Sequence, residues 1–141
     1  MPAVKPYLRK PHYYETDQAG IIHHANYIRW FEEARVDFLD QLGFGYEKVT
    51  QAGIDILLLG VECEYKAMVR FGDTVRIEMT IPDMGQAKMS VAYRIADAAT
   101  GELRAAGITR HCFFDRKAQR PVSLKKVLPE LYTMLEVHTH A

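Results

Sequence analysis

The sequence predicts an α+β fold with an antiparallel sheet of about five strands, one long helix covering a face of that sheet, and a C-terminal helix. Three observations predict it. Residues 25–42 repeat apolar side chains at helical spacing, with charged residues on the other faces. Residues 61–115 contain four stretches in which apolar and polar residues alternate, as they do in strands. Short turns separate these stretches, and short connections make neighbouring strands antiparallel.

The N-terminal part of the chain is predicted to contain one strand, the long helix and a short helical turn. Residues 7–15 form a plausible first strand, although Pro11 restricts it to a sheet edge or a bulge. The long helix is expected to have Asn26 as its N-cap and to stop at Gly43, because glycine commonly follows the last helical turn. A short helical turn is expected at residues 46–51.

The rest of the chain is predicted to contain four strands and a closing helix. The strands are expected at residues 61–66, 75–81, 88–95 and 102–115, with turns at 71–73, 82–85 and 97–101. Residues 123–136 are predicted to form the closing helix. The last strand has apolar residues at both odd and even positions, which point to opposite faces. This indicates that the second sheet face is also partly covered. A partner subunit is the simplest cover, so we expect a homodimer or homotetramer.

The composition limits the class of protein. A chain of 141 residues fits one domain, here 1–141. Basic and acidic residues both number 18, which leaves a formal net charge of zero, whereas nucleic-acid-binding domains are usually basic. No run approaches the ~20 apolar residues that span a membrane, and the N-terminus lacks the apolar core of a signal peptide. We therefore expect no nucleic-acid partner, no membrane association and a cytoplasmic location.

An aspartate and a glycine, Asp17 and Gly20, lie shortly before the long helix. Glycine permits a backbone turn that other residues resist, and the helix start beyond it exposes unpaired N–H groups with positive partial charge. A carboxylate next to such donors suits acyl transfer, since the donors polarise a carbonyl oxygen while the carboxylate delivers a nucleophile to its carbon. The spacing alone leaves a second interpretation open, in which Asp17 caps a turn.

Residues 13–35 resemble the signature of hotdog-fold acyl-CoA thioesterases of the YbgC and 4-hydroxybenzoyl-CoA thioesterase branch. That signature has a tyrosine, T-D-x-x-G, two apolar residues, a histidine or aromatic residue, N-Y or S-Y opening a helix, and E-x-A-R within the helix. The matching residues are Tyr13, Thr16, Asp17, Gly20, Ile21, Ile22, His24, Asn26, Tyr27, Glu32, Glu33, Ala34 and Arg35. Residues 70–73 are similar to the family's turn before its central strand. A histidine at position 24 is typical of the YbgC side, because the aryl-CoA branch has tyrosine there.

The resemblance implies a sheet wrapped around the long helix, subunits paired edge to edge, and active sites at the subunit interface. It implies that Asp17 is the nucleophile or general base and that the backbone N–H of His24 holds the thioester carbonyl oxygen. Tyr13, on the same face of an extended chain as Asp17, is expected to hydrogen-bond the carboxylate or a water. The substrate-binding residues that it implies are Gly20, Ile22 and Tyr27. No cofactor is expected, and CoA enters only as part of the acyl-CoA substrate.

Other candidate residues have simpler interpretations. His23 and His24 are neighbours at a helix start, where successive side chains point about 100° apart, so we expect no metal site. Glu32 and Arg35 are spaced i, i+3 and are expected to form an ion pair. Five further residues are predicted to be buried, the last two as free thiols: Trp30, Phe31, His111, Cys63 and Cys112.

Two other functions stay open from the sequence. The first is a non-catalytic module of the same fold that binds acyl-CoA or acyl-carrier protein, which would keep the pocket without needing Asp17. The second is a hotdog dehydratase, which fits less well because the usual spacing of its histidine and acid is missing. The basic residues that could meet the CoA phosphates are not ranked: Lys66, Arg70, Arg110, Lys117 and Arg120.

Overall fold

The computed structural model describes residues 4–140. In chain order, the strands are β1 (Tyr7–Arg9), β2 (Ile54–Tyr65), β3 (Val75–Met84), β4 (Lys88–Asp97), β5 (Leu103–Asp115) and β6 (Arg120–Pro121). The helices are α1 (Ala25–Gln41), α2 (Tyr46–Gln51), α3 (Leu124–Val127) and α4 (Pro129–Val137), and 3₁₀ turns lie at Tyr13–Glu15 and His138–His140. The predicted α+β class is confirmed. The predicted domain, 1–141, includes residues 1–3 and 141, which lie outside the described part of the chain.

The strands form one antiparallel sheet in the order β1-β3-β4-β5-β2, with β6 paired to the end of β5. The two edges of this path differ greatly in length. β1 contributes three residues, whereas β2 contributes twelve and has no strand on its outer side within residues 4–140. An exposed edge of that length presents N–H and C=O groups with which another strand can pair.

The sheet curls around α1, whose apolar stripe faces its inner side. Trp30 and Phe31 are fully buried, as predicted, and burial of each such side chain stabilises the fold by roughly 1.5–3 kcal/mol. The Phe31 ring stacks on Tyr93 of β4, with 4.2 Å between the ring centroids. A Cβ atom at Gly107 of β5 would lie 2.5 Å from the Phe31 ring. Helix and sheet therefore approach closely at a position where only glycine fits.

Three predicted boundaries are wrong for identifiable reasons. The first strand ends at Arg9 instead of running through residues 7–15, because Pro11 interrupts the ladder and a 3₁₀ turn follows. The closing helix is divided at Leu128, since Pro129 lacks an N–H and constrains the residue before it, and α4 restarts with that proline in its first turn. β2 begins at Ile54, seven residues before the predicted start, in an apolar run without alternation.

The start of α1 also differs from the prediction. The helix begins at Ala25, so His24 occupies the N-cap position and Asn26 lies inside the first turn. The predicted stop is confirmed, because Gly43 adopts the left-handed conformation, with φ of +76°, directly after the helix. The predicted turn at 82–85 is wrong in part, since β3 continues to Met84 past a register shift after Thr80.

The predicted Glu32–Arg35 ion pair is wrong. Arg35 instead points into the sheet, where its Nη1 donates a 2.9 Å hydrogen bond to the Tyr93 hydroxyl. Glu33 accepts a hydrogen bond from the Arg9 Nε at 2.7 Å and so connects α1 with β1. The described residues include no helix of sufficient length and apolarity to cross a membrane.

Candidate active site

The segment that carries Asp17 forms a tight loop between the first 3₁₀ turn and α1. Thr16 and Ile22 pair as an antiparallel bridge across it. Inside the bridge, the Asp17 N–H donates to the Ile21 carbonyl oxygen at 2.8 Å, and the Gly20 N–H donates to the Asp17 carbonyl oxygen at 3.1 Å. Gly20 closes the turn with φ of +76°, a conformation that glycine adopts without strain. The structure thus gives Gly20 the turn role predicted from its type.

The Asp17 side chain is exposed, and its two oxygens have different surroundings. Oδ1 accepts hydrogen bonds from the backbone N–H groups of Ala19, at 2.8 Å, and Ile21, at 3.3 Å. Oδ2 accepts none from residues 4–140. Asp17 therefore does cap a turn, as the second interpretation held. The same contacts orient the carboxylate and leave one oxygen available for chemistry.

An open cleft of about 480 Å³ lies beside this loop and the start of α1. Its lining combines the Asp17 loop, the first turn of α1 and the segment after β2. The lining residues are Asp17, Ile21, Ile22, His23, His24, Tyr27, Tyr65, Lys66, Ala67 and Met68. Four of the six residues implied by the signature, Asp17, Ile22, His24 and Tyr27, therefore lie together. Tyr13 and Gly20 are outside the lining.

The geometry expected for Tyr13 is wrong. Residues 13–15 form a 3₁₀ turn, so Tyr13 and Asp17 do not share the face of an extended strand. The Tyr13 side chain is 77% exposed, and its ring meets the edge of Phe71 with 5.5 Å between centroids. Within the described chain its hydroxyl makes no hydrogen bond to Asp17.

The helix start at His24 presents an unpaired donor. The N–H of His24 has no hydrogen-bond acceptor among residues 4–140, as expected for the first amide of a helix. The imidazole stacks on His23 with 4.2 Å between centroids and 28° between planes. The expectation that the two rings point apart is therefore wrong, because His23 precedes the helix and helical angles do not apply to it. In residues 4–140, no three His, Cys, Asp or Glu side chains cluster as metal ligands would.

Tyr65, at the end of β2, is a site residue that the sequence did not indicate. Its hydroxyl donates a 3.1 Å hydrogen bond to the His24 carbonyl oxygen, and its ring meets Tyr27 edge-on at 5.0 Å. Partial burial, followed by the neighbouring Cys63 thiol, raises the pKa of Tyr65 to about 12, which keeps the hydroxyl protonated. The alternation of β2 predicts a strand residue here but carries no signal that this strand ends beside the helix start.

The segment that follows β2 forms another part of the cleft lining. The Ile22 N–H donates to the Val69 carbonyl oxygen at 2.9 Å, and the Phe71 N–H donates to the Gly20 carbonyl oxygen at 3.3 Å. Met68 is held by Arg104 of β5, whose Nη1 donates to its carbonyl oxygen. These bonds join residues some fifty positions apart into one cleft.

The loop that carries Asp17 follows a buried carboxylate, Glu15, that is 3% exposed. It accepts a bidentate pair of hydrogen bonds from Arg9 at 3.0 Å, one from the Trp30 Nε1 at 3.0 Å and one from the His12 N–H at 2.7 Å. Burial alone would raise the pKa of Glu15, but these donors lower it below its ordinary value, so the group is a carboxylate. Glu15 ties the loop to α1 and β1.

The chain is similar to several known proteins. The model of the thioesterase-like superfamily matches residues 11–131. A relative from Aquifex aeolicus, provisionally named an esterase, is 34% identical over 89% of this chain and 94% of its own length. A Bacillus subtilis relative, provisionally named acyl-CoA thioesterase YneP, is 32% identical over 88% and 89%. The crystal structure of a DHNA-CoA thioesterase from Staphylococcus aureus superimposes with a TM-score of 0.87 at 26% identity, covering 94% of this chain and 91% of that one.

The family model and relatives above 30% identity match most of the length of this chain. The chain therefore belongs to the thioesterase-like superfamily of hotdog proteins.

Proposed function

We propose that this protein hydrolyses a small or medium acyl-CoA thioester to the free acid and CoA. The observation that carries the proposal is that Asp17 and His24 line the same cleft and that the His24 N–H has no acceptor within residues 4–140. Membership of the thioesterase-like superfamily and the names of its relatives support the same reaction. The reaction requires no cofactor, because a thiolate is already a good leaving group.

The two groups have complementary roles in the proposed mechanism. The N–H of His24, aided by the positive end of α1, donates a hydrogen bond to the thioester oxygen as negative charge develops there. Asp17 then acts by one of two routes. It attacks the carbonyl carbon to form an acyl-aspartyl anhydride that water hydrolyses, or it takes a proton from a water that attacks directly. In both routes the carbon–sulfur bond breaks and CoA leaves as the thiolate.

Lys66 is the basic residue best situated for a CoA phosphate. Of the five unranked candidates, it is the one that lines the cleft. Its Nζ lies 2.7 Å from the carboxylate of exposed Glu64, an ion pair that water screens and that a phosphate can replace. Arg110 is paired with Glu62 across β2 and β5, away from this lining.

A homodimer joined along β2 is the assembly that we propose. β2 is the long unpaired edge, and it exposes three consecutive leucines, Leu57, Leu58 and Leu59. Continuation of the sheet into a second copy would satisfy the edge and cover these side chains. Since Tyr65 lies at the end of the same strand, the interface would run up to the cleft.

The test is an assay of acyl-CoA esters with a dye that traps the released thiol. The panel should contain short and medium alkyl-CoA esters and aryl-CoA esters, because the name of the similar Staphylococcus aureus enzyme specifies an aryl substrate. Reactions without substrate control for the protein's own free thiols, Cys63 and Cys112. We expect hydrolysis of at least one ester. Binding of acyl-CoA by calorimetry without any hydrolysis would contradict the proposal and favour the binding-module alternative.

A further inference from the structure

Asn26 makes more hydrogen bonds at the helix start than any capping role requires. Its side chain is buried, at 5% exposure. Nδ2 donates to the Glu15 carbonyl oxygen at 3.0 Å and to the His23 carbonyl oxygen at 3.3 Å, while Oδ1 accepts from the Arg29 Nη1 at 3.3 Å. The backbone N–H of Asn26 donates to the same His23 carbonyl oxygen at 3.0 Å. One residue thus holds a single carbonyl through two donors.

That carbonyl belongs to the peptide unit that also contains the N–H of His24. The described chain contains no cis peptide bond, and in a trans peptide the C=O and N–H point in opposite directions. A carbonyl held by Asn26 therefore fixes the direction of the His24 N–H, away from the Asn26 side chain. The preceding peptide, between Ile22 and His23, is held as well, because the His23 N–H donates to the Glu15 carbonyl oxygen at 2.9 Å.

We propose that Asn26 is a positioning residue for thioester hydrolysis, which clamps the His23–His24 peptide so that the His24 N–H is aimed at the substrate carbonyl oxygen. This inference rests on the proposed function. It assigns Asn26 no contact with substrate. Fixed donors stabilise a developing oxyanion because they need no reorganisation during the reaction, so a loosened peptide should slow the chemical step more than it weakens binding.

The buried Glu15 gives the clamp a rigid support. Its carbonyl oxygen is the second acceptor of the Asn26 Nδ2, and its carboxylate is held by Arg9 and Trp30. Asn26 therefore connects the peptide of the proposed oxyanion donor to a part of the molecule that cannot easily move. The two hydrogens of an amide can make this connection, a hydroxyl has one hydrogen and reaches one carbonyl at a time, and an ionised carboxylate cannot donate to either.

The test uses Asn26→Asp, which has the same shape but lacks the donor, and Asn26→Ser, which keeps one donor. The matched control is Gln41→Glu, an amide-to-acid change at the far end of α1, where the Nε2 donates to the Lys5 carbonyl oxygen at 2.9 Å. Measurements are kcat and KM for the best substrate, thermal unfolding, and the amide NMR resonance of His24.

At about pH 9, where an introduced carboxyl is ionised, we expect Asn26→Asp to lose about tenfold or more in kcat with KM within about threefold. Asn26→Ser should lie between this variant and the wild type, and Gln41→Glu should match the wild type. The His24 amide resonance should shift in both Asn26 variants.

A folded Asn26→Asp variant with wild-type kcat at high pH, or one in which only KM changes, would overturn the inference. If Asn26→Asp does not fold, the inference is tested with Asn26→Ser instead. A kcat lowered about threefold or more at constant KM supports the clamp, and an unchanged kcat with an unshifted His24 resonance overturns it. The proposed function fails separately, if the wild-type protein hydrolyses none of the acyl-CoA esters in the panel.

Discussion

The Tyr65 hydroxyl donates a 3.1 Å hydrogen bond to the backbone carbonyl oxygen of His24. This bond joins the last residue of the long edge strand to the N-cap residue of α1. The hydrogen bond therefore connects two regions that we propose to be functional. One is the β2 edge, the proposed dimer interface, and the other is the cleft, the proposed active site. Changes at the strand edge should affect catalysis as well as assembly.

Asp17→Asn should lower acyl-CoA hydrolysis by about a hundredfold or more, the usual effect of losing a positioned acid–base group. The fold should survive, since an asparagine oxygen can still accept the turn hydrogen bonds. Asp115→Asn is a matched control, because the Asp115 Oδ1 also caps a turn, at 2.9 Å from the Lys117 N and 3.1 Å from the Ala118 N. Near wild-type turnover of folded Asp17→Asn would assign the chemistry to another residue.

Two substitutions at His24 separate its backbone from its side chain. His24→Ala keeps the N–H and should cost roughly tenfold or less, whereas loss of one oxyanion donor typically costs about a hundredfold or more. His24→Pro removes the N–H, and the φ of −56° at this position suits proline. Circular dichroism should verify both folds before the assay. An inactive alanine variant beside an active, folded proline variant would make the imidazole the essential group.

Leu58→Lys should weaken the proposed dimer, because a charge on an edge strand opposes sheet continuation. Light scattering should then give a monomer mass at micromolar concentration, and activity should fall with it if the interface supports the cleft. Leu8→Lys on the β1 edge, where the side chain is 61% exposed, is the control that should leave the mass unchanged. A wild-type protein that is already monomeric would contradict both the dimer and an interfacial site.

The stability of the fold should depend on His111 between about pH 6.5 and 4. Burial, followed by the charge of Arg35, lowers the pKa of His111 from 6.5 to about 4. In that range the unfolded chain binds a proton that the folded chain does not, so the contribution of His111 is fully present above pH 6.5 and is lost as the pH falls toward 4. His111→Gln removes this titration and can still bond the Thr109 hydroxyl, which lies 2.7 Å from the His111 Nε2.

Urea unfolding of the wild type and His111→Gln across this range measures the effect. The free energy of unfolding of the wild type should decrease more steeply with acidification than that of the variant. Parallel curves would contradict the prediction, because they would mean that folding does not lower the pKa of His111.

The sequence by itself determined the elements whose signals are local. The spacing of Tyr27, Trp30 and Ala34 predicts α1 because a helix repeats its faces every three to four residues. Gly43 predicts its end and Gly20 predicts the turn after Asp17, since both need a conformation that glycine adopts freely. The resemblance to hotdog thioesterases covers the same local stretch, and it indicated Asp17, Ile22, His24 and Tyr27 as neighbours.

Tertiary structure alone decided which distant residues complete the cleft and which polar groups pair. Arg35 bonds Tyr93 instead of Glu32, because the curled sheet offers a buried hydroxyl where i, i+3 spacing offers only a solvated carboxylate. Asn26 clamps the His23 carbonyl instead of capping α1, because the helix begins two residues earlier than its cap signal indicates. Tyr65 reaches His24 because β2 crosses to the far edge of the sheet, a path set by strand order that no local pattern encodes.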